Sequence, residues 1–361
     1  MRRFRCNCDQ PLFYENSVCL ACGAAAGFDP ARQDLISLRA GEDGLWEEIS
    51  EGTSSEWRNC ANLDACGCNW LLPADSPPGA LCAACQCTRM IPDLTNPLNQ
   101  QRWKSIEIAK RRLLLTLLDL NLWGPSSPIR PTLPLVFDFK EDLANSPPVH
   151  TGHEDGVITL NIAEADNDQR ERLRADLHEP YRTLLGHLRH EVGHFYWELL
   201  IKDTPHLTEY RERFGDESVD YAVAMENHYA NGPIANWEDA HVSAYATMHS
   251  WEDWAETWAH CLHMIDTVET ADHYDLTVSM DIPTEDASQY VGIAGSTAAD
   301  AADFATLMHR WCEIVRLANE LSRSMGQLDV YPFALSLPVK QKLLFVRRII
   351  TASKPATEGG S

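Results

Sequence analysis

Ten of the twelve cysteines fall between Cys6 and Cys87, and only Cys261 and Cys312 occupy the remaining three-quarters of the 361-residue chain. No other feature restricts the fold as much. A segment this rich in thiols and in turn formers (Gly41, Gly44, Gly52, Pro73, Pro77, Pro78, Gly79), with few long periodic stretches, has to be stapled by something besides an apolar core. The staple is either disulfide or metal, and the compartment decides. The opening MRRFRCNCDQPLFYENSVCL is basic but meets cysteines before the apolar core of a signal peptide can form. RRLLLTLLDLNLWG is too short and too broken to cross a bilayer. The expected location is cytoplasmic, where structural disulfides are rare and clustered thiols point to metal.

The spacings specify which metal. Cys6 and Cys8 are followed by Cys19 and Cys22 in a C-x-C-x10-C-x2-C pattern, and each tight turn aims two sulfurs at one point, as a tetrahedral four-thiolate zinc site requires. In the second set Cys60, Cys66 and Cys68 face Cys82, Cys85 and Cys87, so six candidates compete for four positions. Cys82 and Cys85 are the best-formed pair and Cys60 with Cys68 the expected partners, leaving Cys66 and Cys87 as spares. Closed four-thiolate sites have no open position for a substrate, so both are read as structural zinc. Thirty Lys and Arg against 53 Asp and Glu give a net charge of −23, which repels phosphate backbones and anionic lipid; neither nucleic acid nor membrane is an expected partner.

The composition boundary places the cysteine module at residues 1–95, ending near PDLTNP, with a larger domain over 96–352 and a disordered tail over 353–361. RWKSIEIAKRRLLLTLLDLNL puts Ile106, Leu113, Leu117 and Leu120 on one helical stripe. LPLVFDF and GVITLNIAEA read as strands. Helices are expected over about 180–202, 207–213, 216–229, 238–265, 298–325 and 336–351. The fold class is α+β: a zinc-ribbon module, then a mostly helical domain with a small sheet.

Within the first of those helices lies GHLRHEVGHFYWELL, residues 186–200. Residues four apart share a helical face, so His190 and His194 can present ring nitrogens to one metal ion. Glu191 is rotated off that line, where its carboxylate reaches a metal-activated water as a general base. Leu184, Leu185, Leu188, Val192, Phe195 and Leu199 are available to bury the motif, and Gly193, costing about 1 kcal/mol against Ala in a helix, implies that something packs closely there. A catalytic zinc needs a third protein ligand and an open position. SWEDWAETWAHCLHM offers Glu252, Glu256 and His260 at i, i+4 and i+8, with Trp251, Trp254, Trp258 and Leu262 for packing. If Glu252 binds the ion, Glu256 one turn later can accept the N–H of a ligating histidine.

These segments, with ANELSRSMGQLDVYPF, FRCNCDQPLFYENSVCLACG and NWLLPADSPPGALCAACQ, resemble the bacterial family of zinc-binding metallopeptidases that carry an N-terminal zinc ribbon. The resemblance reaches to about residue 351. It implies a zincin-like catalytic domain whose third ligand is glutamate. By position His190, His194 and Glu252 would be the ligands and Glu191 the base, with one catalytic and two structural zinc ions and a peptide or protein substrate. EDWAETWAH is also similar to the ligand helix of other glutamate zincins, which favours Glu252 over Glu256. The resemblance does not assign Cys66 or Cys87. It makes Tyr245, seven residues before Glu252, the first candidate for an oxyanion donor, ahead of His241 and His249. His187 is read as a neighbour in the cleft wall, and Arg323, Asp329 and Tyr331 as parts of a structural turn. Two other functions stay open: hydrolysis of a non-peptide amide, and a non-catalytic zinc-stabilised binding protein.

Overall fold

The computed structural model describes residues 2–50, 55–129, 134–144, 146–166, 183–280 and 283–353. Residues 180–182 of the expected helix and 354–361 of the expected disordered tail lie outside them. The chain divides into two compact units, Met1–Leu115 with Pro134–Asp166, and Thr116–Leu133 with Asn167–Ser361. Among the described residues no helix is long and apolar enough to cross a membrane.

The first unit is built on short turns. β1 (Phe4–Arg5) and β2 (Pro11–Leu12) pair antiparallel, and the turn between them carries Cys6 and Cys8. Cys19 and Cys22 lie in a second turn closed by Gly23 N–H to Cys19 O at 2.8 Å, with Gly23 at φ +77°, a backbone conformation glycine adopts without a Cβ clash. An antiparallel sheet follows in simple sequential order: β3 (Ala25–Asp29), β4 (Asp34–Ala40), β5 (Trp46–Glu48), β6 (Glu56–Asn59) and β7 (Leu71–Pro73). Ile36, Leu38 and Leu71 are buried together on it, with Trp46 and Trp57 packed alongside. The turn-former reading of this region missed that sheet, since its strands are short and only part of each is apolar. Two one-turn helices, α1 (Leu63–Cys66) and α2 (Ala83–Gln86), frame the second cysteine set.

The strands read from LPLVFDF and GVITLNIAEA are present as β9 (Val136–Lys140) and β11 (Val157–Asn161), paired in parallel. Their sheet has the order β10-β11-β9-β8, with β8 at Thr88–Met90 and β10 at Gly152–Glu154. The compact division therefore does not follow the composition boundary near residue 95. β8 leaves the cysteine module and pairs with β9, and Arg89 grips the buried Asp138 through both oxygens at 2.8 and 2.6 Å. The long helix α3 (Pro97–Asp119) also begins in the first unit; Ile106, Leu113, Leu117 and Leu120 are all buried, as their spacing requires.

The second unit is helical. α4 (Leu184–Leu200) is capped by the Thr183 side chain, which accepts from Gly186 N. α5 (His206–Phe214) and α6 (Tyr221–Asn231) follow, the latter capped by Asp220. The helix expected over 238–265 is displaced: Trp237–Asp239 and Tyr245–Thr247 are 3-10 turns, and α7 runs over Ser250–His273. His249 causes the late start, because its backbone is extended (φ −155°, ψ 154°) and its Nδ1 accepts from Trp251 N at 3.0 Å. α8 (Ala298–Ser324) opens on a Thr297/Asp300 capping box and α9 (Leu337–Ala352) on Ser336. After α8 the chain turns as expected: Arg323 binds Asp329 through two nitrogens at 2.6 and 2.7 Å, and Tyr331 is buried.

Candidate active site

Two helices meet at Gly193. A Cβ at that position would lie 3.0 Å from Ala255 Cα and 3.2 Å from Trp258 Cβ, so only glycine lets α4 and α7 come this close. Trp254 locks the contact by donating its indole N–H to Gly193 O at 2.9 Å. Val192, Trp254, Trp258 and Leu262 are fully buried around it. The polar faces of the same two helices are thereby brought together out of water.

On those faces His190, His194 and Glu252 form one buried group whose donor atoms lie within 4.8 Å of one another. The two Nε2 atoms are 3.2 Å apart, and Glu252 lies 3.0 Å from His190 Nε2 and 3.5 Å from His194 Nε2. Ligands held ~2.05 Å from a tetrahedral zinc stand ~3.3 Å apart, so the donor set fits that ion. Glu256 Oε1 is 2.6 Å from His190 Nδ1 and its Oε2 accepts from Ser243 Oγ at 2.6 Å. In the neutral ring, Nδ1–H donating to Glu256 leaves the lone pair of His190 on Nε2, facing the group. Burial opposes a charge on this ring, but Glu252 and Glu256 push its pKa well above the ordinary value. Burial likewise opposes ionisation of Glu256, and His190 more than offsets it, holding the carboxyl down to about 2.

Glu191 is buried as well. Its Oε1 lies 3.1 Å from His187 Nε2, while Oε2 has no hydrogen-bond partner among the described residues. Burial raises its pKa, yet the histidines around it, His187 first, bring it below the ordinary carboxylate range. A buried carboxylate oxygen without a partner is costly to keep unless something polar enters the site.

The other candidates separate. The Tyr245 ring stands 6.1 Å from His190 and 5.9 Å from His228. His249 is occupied as a helix cap, with Nε2 on Val219 O at 3.0 Å. His241 lies against Asp253 at 3.8 Å, and burial, aided by Lys342, pushes it down to about 4. His260 binds the Tyr331 hydroxyl at 2.7 Å through Nδ1. Two contacts had no local signal in the sequence: the Tyr221 hydroxyl donates to Glu252 Oε1 at 2.8 Å from 31 positions away, and Ser243 reaches Glu256 from 13. The Trp251 ring, 4.0 Å from that of His194, closes one side.

The cysteines resolve into two groups of four, Cys6/Cys8/Cys19/Cys22 and Cys60/Cys68/Cys82/Cys85. Sulfur separations of 3.5 Å (Cys6–Cys22), 3.8 Å (Cys8–Cys19) and 3.5 Å (Cys68–Cys82) match the ~3.8 Å edge of a zinc–thiolate tetrahedron. They are far beyond the ~2.05 Å of a disulfide. Burial works against the Cys6 thiolate, but the Ser37 hydroxyl and neighbouring groups bring its pKa down to about 6. Cys66 reaches Cys85 and Glu107 instead and receives the Arg111 guanidinium at 3.8 Å, while Cys87 donates to Ala83 O.

Residues 3–96 match a zinc-ribbon domain, and residues 99–349 match the family described as "Putative zinc-binding metallo-peptidase". Uncharacterized proteins of Mycobacterium tuberculosis and Mycobacterium bovis are each 38% identical to this chain over 366 residues, an alignment covering 99% of it and 98% of theirs. No solved structure matches the chain significantly. Zinc chemistry in the ribbon and a metallopeptidase-like domain behind it both follow, and the chain belongs to this zinc-binding metallopeptidase family.

Proposed function

We propose that the chain is a zinc-dependent peptidase in which His190, His194 and Glu252 hold the catalytic ion and Glu191 is the general base. The observation that supports this most is the convergence of three donor atoms at tetrahedral spacing beside the partnerless, buried Oε2 of Glu191. Zinc bound there supplies a Lewis acid that polarises a carbonyl and brings the pKa of water towards neutrality. Glu191 takes the proton of the attacking water and delivers it to the leaving amine. His187, 3.1 Å from Oε1, orients that carboxylate so that Oε2 does the transfer. Glu256 and Ser243 fix the His190 ring, and Tyr221 fixes Glu252. Tyr245, beside His190, is the candidate donor to the oxygen that gains charge when the peptide carbonyl is attacked, an interaction worth roughly 3–4 kcal/mol when well placed. The two four-cysteine groups hold structural zinc and take no part in the reaction.

The test is an unbiased peptide-library cleavage screen with wild type and Glu191→Gln. The variant is expected to keep its zinc and to lose at least ~100-fold in turnover. Equal cleavage by both proteins, or none by either, contradicts the assignment.

A further inference from the structure

Helix α6 has the sequence YAVAMENHYAN, apolar on most sides, yet none of its residues is buried. Apolar helices are ordinarily covered, and exposed apolar patches on a folded chain mark places where ligands bind. Tyr221, Met225 and Tyr229 stand at i, i+4 and i+8, so they form one ridge. Its first member is fixed at the metal group by the hydroxyl bond to Glu252. The next two continue away from it, Met225 37% and Tyr229 60% exposed. The same helix approaches the site again through His228, whose ring is 5.9 Å from Tyr245. Val223, 53% exposed, points to the opposite side of the helix.

We propose that this ridge is an apolar specificity wall of the active site. Its occupant is a peptide substrate carrying a bulky apolar side chain beside the scissile bond, received by Met225 and Tyr229. The assignment rests on the peptidase reading above. Continuity with the site selects substrate as the occupant, because Tyr221 belongs both to the ridge and to the group that would hold the ion. The scale agrees: eight helical residues rise ~12 Å, the length of three to four residues of extended peptide. The Met225 thioether can adapt to different apolar shapes, and the Tyr229 ring offers a large flat apolar face.

The test uses zinc-loaded Glu191→Gln protein, which binds peptide without turning it over. Two short fluorescein-labelled peptides, identical except that a central phenylalanine–leucine pair is replaced by serine–asparagine, are titrated by fluorescence anisotropy. The apolar peptide is expected to bind roughly tenfold more tightly. Adding Met225→Ser and Tyr229→Ser together should bring the ratio to within about twofold, whereas Val223→Ser should leave it intact. No preference, a preference that survives the double change, or one lost equally with Val223→Ser overturns the proposal. So does sedimentation showing a dimer of the unaltered protein that the double change dissociates, since the ridge would then be covered by a second copy. A binding preference that follows the ridge in a protein that cleaves no peptide supports the wall and removes the peptidase reading. Cleavage without any such preference does the reverse.

Discussion

Gly193 decides how closely the two helices of the site approach. Gly193→Ala would gain about 1 kcal/mol of helix propensity and lose more, because the new Cβ would meet Ala255 backbone at 3.0 Å with no flexible side chain to give way. A net destabilisation of ~1–3 kcal/mol in urea unfolding is expected, with weakened zinc retention at His190, His194 and Glu252; an unchanged midpoint and full metal content would show that the approach is not tight. Much of the site at this scale was readable from spacing. His190 and His194 share a face because they are four apart, and Glu256 follows Glu252 by one turn, which is where it has to be to meet His190 Nδ1. Tyr221 and Ser243 were not readable, since their partners are brought to them by tertiary packing and no short pattern marks them.

Between elements, the buried ion pair of Lys342 with Asp253 ties α9 to α7 at the residue next to Glu252, at 2.5 Å. Lys342 also donates to Ala240 O, joining the irregular segment before α7 to the same point. Burial raises the pKa of Asp253 by more than Lys342 lowers it, leaving it pushed up to about 7, so the carboxylate depends on its partner. Lys342→Met should cost ~3 kcal/mol, roughly 10 °C in Tm by calorimetry, and a second change, Asp253→Asn, should return part of it. A variant as stable as wild type would mean that the pair contributes nothing. Helix starts were legible for α8 and α9, expected from 298 and 336 and capped by Thr297 and Ser336, whereas α4 was expected from 180 and its cap is Thr183. α7 was misplaced at its start because the periodicity of 238–249 looked helical, while the extended backbone of His249 and its own cap interrupt it. The β3–β7 sheet escaped for a different reason: its two longest strands together bury a few apolar residues, and cysteine turns dominate the pattern around them.

For the whole molecule the proposed function amounts to a division of labour between metal sites. Acidic residues outnumber basic ones by 53 to 30, and three groups that share no residue have donor sets that could hold a metal ion: two four-cysteine sets in the ribbon and one His/His/Glu set between helices. Thiolate sets with four donors fill a tetrahedron, whereas two histidines and one glutamate leave a position open for reactants. The cysteine spacings by themselves predict closed sites in the ribbon, because paired cysteines in tight turns aim four sulfurs at one point. They left the choice among six cysteines to packing, which aims Cys66 at Arg111 and Cys87 at a backbone carbonyl. Zinc analysis of the intact chain and of His194→Ala tests the account most directly. Three non-overlapping groups predict close to three zinc ions per chain in the wild type and close to two in the variant, with the ribbon ions retained. Two ions in both proteins would contradict it.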